Sequence, residues 1–228
     1  PEERAQRHRH LGAALLTLYA ENEIVEALAW HFERGGDRPR ALRYAQLAAD
    51  KARRVYANES AIQQYSRALA LTREAPLHGN VATEYDLLAG REDCYRLAGN
   101  RRAQQADLEA MARLARELGD VARQIEVVNR QVALANSLGN TLDARQAAET
   151  ALALARQVGE RKLEADCLAS LGEVCFGLSD YAEAADCYAQ ALERYRALSH
   201  QTGEAFCLWK LGFSTRRLGD TARAQAYY

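Results

Sequence analysis

The chain has 228 residues, 48% of them apolar and 27% charged, with a formal net charge of −1. That is the composition of a globular chain, and its near-neutrality removes the electrostatic footprint of a nucleic-acid or anionic-membrane binder. No apolar run approaches the ~18–20 residues of a membrane span, and no secretory signal opens the chain.

Only three prolines interrupt a sequence rich in Ala, Leu, Arg, Glu and Gln, which favours helix throughout. Period-two runs of β-branched and aromatic residues are missing, so no sheet is expected. The five cysteines, Cys94, Cys167, Cys175, Cys187 and Cys207, form no C-x-x-C pair and are odd in number. They read as buried free thiols, and this usage fits a reducing cytoplasm. The chain starts at Pro1 without Met and stops at Tyr228 inside a helical pattern, so we expect a piece of a longer protein.

In chain order, His8 to Tyr19 gives one amphipathic helix. Glu21 to Ala52 gives a helix, a Gly35-Gly36-Asp37 turn and a second helix, with Pro39 in a first turn where proline is tolerated. Asn58 to Leu71 gives another helix, with Asn58 as its N-cap. Pro76-Leu77-His78-Gly79 breaks the chain and marks a joint between a less regular segment, 1–78, and a regular array, 79–228.

In that array the turns fall at Gly99-Asn100, Gly119-Asp120, Gly139-Asn140, Gly159-Glu160, Ser179-Asp180, Ser199-His200 and Gly219-Asp220, twenty residues apart each time. Glycine just past a helix end enters the left-handed region without a Cβ penalty. Asp or Asn after it accepts from the first free N–H groups of the next helix. Each dipeptide is thus a stop joined to a start. The roughly 17 residues between them make a helix about 25 Å long, and connections this short make consecutive helices antiparallel neighbours.

The helices alternate in character, so the repeat is two helices and forty residues. The best copy runs from Leu168 to Leu192, with Leu168, Leu171, Gly172 and Cys175 on a first helix (A). Tyr181, Ala184, Tyr188, Ala191 and Leu192 follow on a second (B). Forty residues on, the series reads Leu208, Leu211, Gly212, Thr215, Gly219, Asp220, Ala224, Tyr228. This series resembles the tetratricopeptide repeat. The resemblance implies an all-α fold, a right-handed superhelical α-solenoid of antiparallel helix pairs. Two features depart from the family pattern: the period is forty rather than 34, and the B-to-A turn carries the same Gly-Asp punctuation as the A-to-B turn.

The stretch "EALAWHFERGGDRPRALRYAQLAADKA" (Glu26 to Ala52) resembles the start of the helical-repeat sensor in STAND-type signalling ATPases and transcription regulators. That resemblance implies an ATPase module upstream. The chain itself carries no Gly-rich phosphate loop, no H-E-x-x-H, no G-x-S-x-G and no Cys–His cluster at metal spacing. No catalytic residue, cofactor or metal is therefore expected. His8 and His10, alternating with Arg7 and Arg9, read as a solvated basic face, and His31 as a packed boundary side chain.

The function of a helical solenoid lies in its inner surface. Carried over from the tetratricopeptide pattern, helix A lines that surface with Asp86, Asp93 and Arg96, then Glu126, Asn129, Arg130 and Asn136. Asp166, Ser170, Glu173 and Phe176 follow, and the last helix A contributes Phe206, Trp209, Lys210, Phe213 and Arg216. The Asn and Arg side chains suit a peptide backbone or carboxylate; the family's paired Lys/Asn carboxylate clamp is not reproduced. Phe206, Trp209 and Phe213 fall on one face of one helix and mark either a binding site or a covered surface.

The expected partner is a protein or peptide in the groove, with neither nucleic acid nor membrane. Three further expectations are a small-molecule inducer in a compact aromatic pocket, an intramolecular contact with an upstream ATPase module, and homo-oligomers formed through the aromatic end.

Overall fold

The corners explain the architecture. At the end of one helix the Asn140 N–H bonds the Ala135 carbonyl (2.9 Å) and the Gly139 N–H bonds that of Asn136 (3.1 Å). This is the paired ending that a left-handed residue permits, and Gly139 has φ +84°. The same two-bond ending recurs at Gly99-Asn100, Ser179-Asp180, Ser199-His200 and Gly219-Asp220. Ser179 and Ser199 adopt the left-handed conformation with a side chain, at φ 65° and 54°.

The second residue of the corner then caps the next helix. The carboxylates of Asp120, Asp180 and Asp220 accept the N–H three residues on, as do the Asn100 amide oxygen and, through Nδ1, the His200 ring. Asn140 and Glu160 begin their helices without a side-chain bond.

The computed structural model describes residues 2–73 and 80–228. Among these there are twelve α-helices and no strand. They are α1 (Glu2–Leu18), α2 (Val25–Arg34), α3 (Arg38–Arg54), α4 (Asn58–Arg73), α5 (Asn80–Ala98), α6 (Arg101–Glu117), α7 (Val121–Ser137), α8 (Thr141–Val158), α9 (Arg161–Gly177), α10 (Tyr181–Ala197), α11 (Gln201–Arg217) and α12 (Thr221–Tyr227). A 3₁₀ turn at Glu21–Glu23 precedes α2. Asp37 caps α3 through the Arg40 N–H, with proline in the first turn as expected. Asn58 is the first residue of α4 rather than its cap, and its Oδ1 is buried without a hydrogen-bond partner.

The helices divide into two compact units, Pro1–Leu118 and Gly119–Tyr228. The joint expected at Pro76 to Gly79 lies outside the described residues. Within each unit every helix packs on its sequence neighbours, and one A helix reaches the next, α3 touching α5 and α7 touching α9.

The second unit buries a core of small and aromatic side chains. Ala144, Ala148, Ala151 and Ala155 line α8, and Leu168, Cys167 and Val174 line α9. Tyr188, Ala184 and Ala191 come from α10. The small residues set how closely the helices approach. A Cβ on Gly172 would stand 2.8 Å from the Tyr188 ring, and one on Gly90 in the first unit 2.5 Å from that of Tyr65.

Those two tyrosines show how a phenol is buried. Tyr188 is fully buried and donates to Glu173 at 2.5 Å; Tyr65 is 1% exposed and donates to Asp50 at 2.5 Å. In both cases a carboxylate on helix A lies fifteen residues before the tyrosine on helix B. A buried hydroxyl needs an acceptor, and the spacing supplies one in each unit. Burial first, and then the neighbouring carboxylate, hold both phenols well above their ordinary pKa.

Candidate functional site

The expected groove residues fall in both units. In the first, Asp86 is exposed on α5. Asp93 accepts from Arg96 on its own helix (3.4 Å) and from Arg53 of α3 (3.3 Å). One of these ion pairs joins the A helices α3 and α5.

In the second unit, several expected ligand-binding groups hold the repeat together. Asn136 of α7 donates to the Glu173 carbonyl of α9 at 3.2 Å, and its Oδ1 lies against Gly177, where a Cβ would be 2.6 Å away. Asn129 donates to the Cys167 thiol at 3.4 Å, and its Oδ1 is buried without a partner. Arg130 pairs with Glu126 one turn away. Asp166 accepts from Tyr195 of α10 (2.6 Å) and Lys162 (2.8 Å), and Ser170 donates to the Asp166 carbonyl.

One group of candidates converges on a different kind of surface. Glu173 Oε1 receives both the buried Tyr188 hydroxyl, at 2.5 Å, and the Lys210 ammonium, at 2.6 Å. Lys210 Nζ then lies 4.9 Å from the ring centre of Trp209, 5.5 Å from Phe206 and 5.9 Å from Phe176. A cation over aromatic faces is attracted by the ring quadrupole, by about 0.5–2 kcal/mol according to how dry it is. The Lys210 side chain is only 16% exposed. Phe206 leans edge-on against Tyr188, and Phe213 does so against Trp209 (5.0 Å) and Tyr228 (6.1 Å). The Arg216 guanidinium covers the outer face of Phe213 at 5.0 Å, and that of Arg217 covers Tyr181 at 5.9 Å.

The outcome is a braced patch on α9 and α11. Phe176 and Phe206 pack against the core, while Trp209 is 49% exposed. Asn129, Ala169 and Trp209 occupy the same place in three successive repeats, forty residues apart. The position therefore passes from a polar contact to a small residue to a large indole. Sequence reasoning placed Phe206, Trp209 and Phe213 on one face and Lys210 among the groove-lining residues, but did not pair Lys210 with Glu173. The signal available was its place one turn from both Phe206 and Phe213, opposite the glutamate of the preceding repeat.

All five cysteines are free and buried. Burial pushes the Cys207 thiol up to about 12 and Cys167 up to about 11, so neither is a thiolate near neutrality. Among the described residues no cluster of three or more His, Cys, Asp or Glu side chains is placed to hold a metal ion, and no helix is long and apolar enough to cross a membrane.

Known proteins agree with this architecture. Residues 124–197 match the tetratricopeptide repeat family. The match lies within the second unit and takes in the best copy of the forty-residue series, Leu168 to Leu192. No curated protein matches the chain. Among solved structures, BtubC from P. vanneervenii superposes with a TM-score of 0.69 at 16% identity, over 98% of this chain and 87% of that one. A Rap protein complexed with Competence and Sporulation Factor gives 0.72 at 12% identity, over 97% of this chain and 68% of that one. A STAND protein with a tetratricopeptide repeat sensor from Pyrococcus horikoshii gives 0.56 at 15% identity; all of this chain matches 39% of that one. Identities this low make the likeness one of fold.

Proposed function

We propose that the chain is a non-catalytic scaffold that binds a protein or peptide, serving as the sensor or docking arm of a larger signalling ATPase or transcription regulator. The observation that carries this reading is Trp209, a half-exposed indole braced by Phe213 and by the Lys210–Glu173 pair. Large aromatic and Arg side chains in a rigid setting are the anchors of protein interfaces. Arg216, exposed beside it and stacked on Phe213, adds a guanidinium for a carboxylate on the partner. The fold neighbours support the reading, since a Rap protein was solved with Competence and Sporulation Factor and NprR with its cognate peptide NprX. A bound segment biases the parent's switch only through unequal affinity for its two states. A small-molecule inducer would call for an enclosed pocket; the indole instead faces outward.

The test is a displayed library of random peptides panned against the full chain. Enrichment should occur, and Trp209→Ala should weaken the recovered peptides by roughly 30-fold or more, the cost of losing an anchor of about 2 kcal/mol. Peptides retained equally by Trp209→Ala and Arg216→Glu would move the site elsewhere.

A further inference from the structure

The first helix is fastened to the second by few side chains. Gly12 is the buried residue of α1, set over the Phe32 ring, where a Cβ would be 3.0 Å from the nearest ring atom. Arg9 donates to the Gly35 carbonyl at 2.6 Å. The third fastening is unusual: Nδ1 of His8 lies 3.1 Å from Nδ1 of His31. Both imidazoles also meet the Trp30 ring edge to face, with centres 5.0 and 4.9 Å away. The basic face expected at the helix start is thus partly turned inward.

Two facing ring nitrogens bond only when one proton lies between them. When both rings are cationic each Nδ1 carries its own proton, and two N–H groups face each other in place of the bond. On α1 the neighbour is Arg9. On α2 Arg34 lies over Trp30 at 5.6 Å, and Glu33 is engaged by Arg67 of α4.

We propose that His8 and His31 form a proton-operated latch, which holds α1 on α2 near neutral pH and releases it when both rings are protonated. Burial, and then the charge of His8, lower the basicity of His31 below the ordinary value of 6.5. The docked form therefore binds fewer protons than the released form. Docking is complete above the ordinary value and is lost as pH falls through the depressed one. Release uncovers the part of the Phe32 ring that Gly12 covers, so acidification exposes an aromatic side chain on α2.

Hydrogen exchange on the full chain tests this, with α1 amides compared against α10 amides from about pH 7.5 to about pH 5 after correction for intrinsic exchange. For one proton, the opening equilibrium of α1 should rise up to about tenfold per pH unit below about 6.5 while α10 stays unchanged. Trp30 emission, read in a Trp209→Phe background that leaves a single indole, should change over the same range. His8→Gln and His31→Gln should each abolish the pH dependence, whether or not α1 stays docked at neutral pH. Opening of α1 that does not vary with pH, or that varies as in the wild type in both variants, overturns the latch.

Discussion

The two units hold helix hairpins together by different means. In the second, a forty-residue register places like residues in like positions: glycine under tyrosine, carboxylate under phenol, and a side-chain cap at four of its six corners. In the first, the register fades and specific polar pairs take over. Arg91 of α5 grips Asp107 of α6 with two bonds of 2.6 and 2.8 Å and reaches Ser66 of α4 at 2.9 Å. Beside it the buried Glu92 accepts from the buried Gln104 at 2.6 Å. A periodic hairpin spreads its stability over many small contacts. A non-periodic one concentrates it in a few groups that cannot be removed singly.

The largest expected effect follows from that concentration. Arg91→Met leaves Asp107, whose side chain is 6% exposed, as an unpaired buried charge. It should destabilise the first unit by about 3–5 kcal/mol, and the double replacement Arg91→Met/Asp107→Leu should recover most of the loss. Urea unfolding of each variant reads this out. Equal losses for single and double variants would show that the pair is not the fastening.

A smaller effect tests what the units share. Gly172→Ala and Gly90→Ala each push a Cβ into a buried tyrosine ring, at 2.8 and 2.5 Å. Each should cost about 1–3 kcal/mol by overpacking. If only Gly172→Ala is costly, the glycine–tyrosine contact is a device of the periodic array alone.

The smallest effect has the opposite sign. Ser199 holds a left-handed conformation at φ 54°. Ser199→Gly should stabilise the second unit by roughly 0.5–1 kcal/mol, the strain removed less the added freedom of the unfolded chain. A thermal melt that shifts downward would contradict the corner account.

The corners and helix lengths were legible because each is set by residues adjacent in sequence. Gly139-Asn140 states its own conformation. The A–B tyrosine contacts were half legible: the small and aromatic positions could be aligned, but Asp50 and Glu173 as phenol acceptors could not be told from solvent-facing acids. The patch around Lys210 was less so. Its ion pair spans 37 residues, from α9 to α11, and only the packing of one A helix beside the next brings Glu173 under the ammonium. Arg91–Asp107 and His8–His31 lie outside the clear repeat, where no alignment of copies points to them. Asn129, Asn136 and Asp166 show the converse. Their types fit a binding groove, yet each makes a hydrogen bond to a neighbouring helix.

The corner residues carry a further consequence for how such a chain can change. Asp180 closes α9 through its N–H on the Cys175 carbonyl and opens α10 through its carboxylate on the Glu183 N–H. One residue thus serves two helices, and no spare position separates them. Inserting or deleting a single residue there mispairs both ends and rotates the next helix by about 100°, turning its apolar stripe from core to water. Loop-rich proteins tolerate drift in length between elements; this array does not. It can gain or lose material only in whole hairpins, so forty residues is its unit of inheritance as well as of structure.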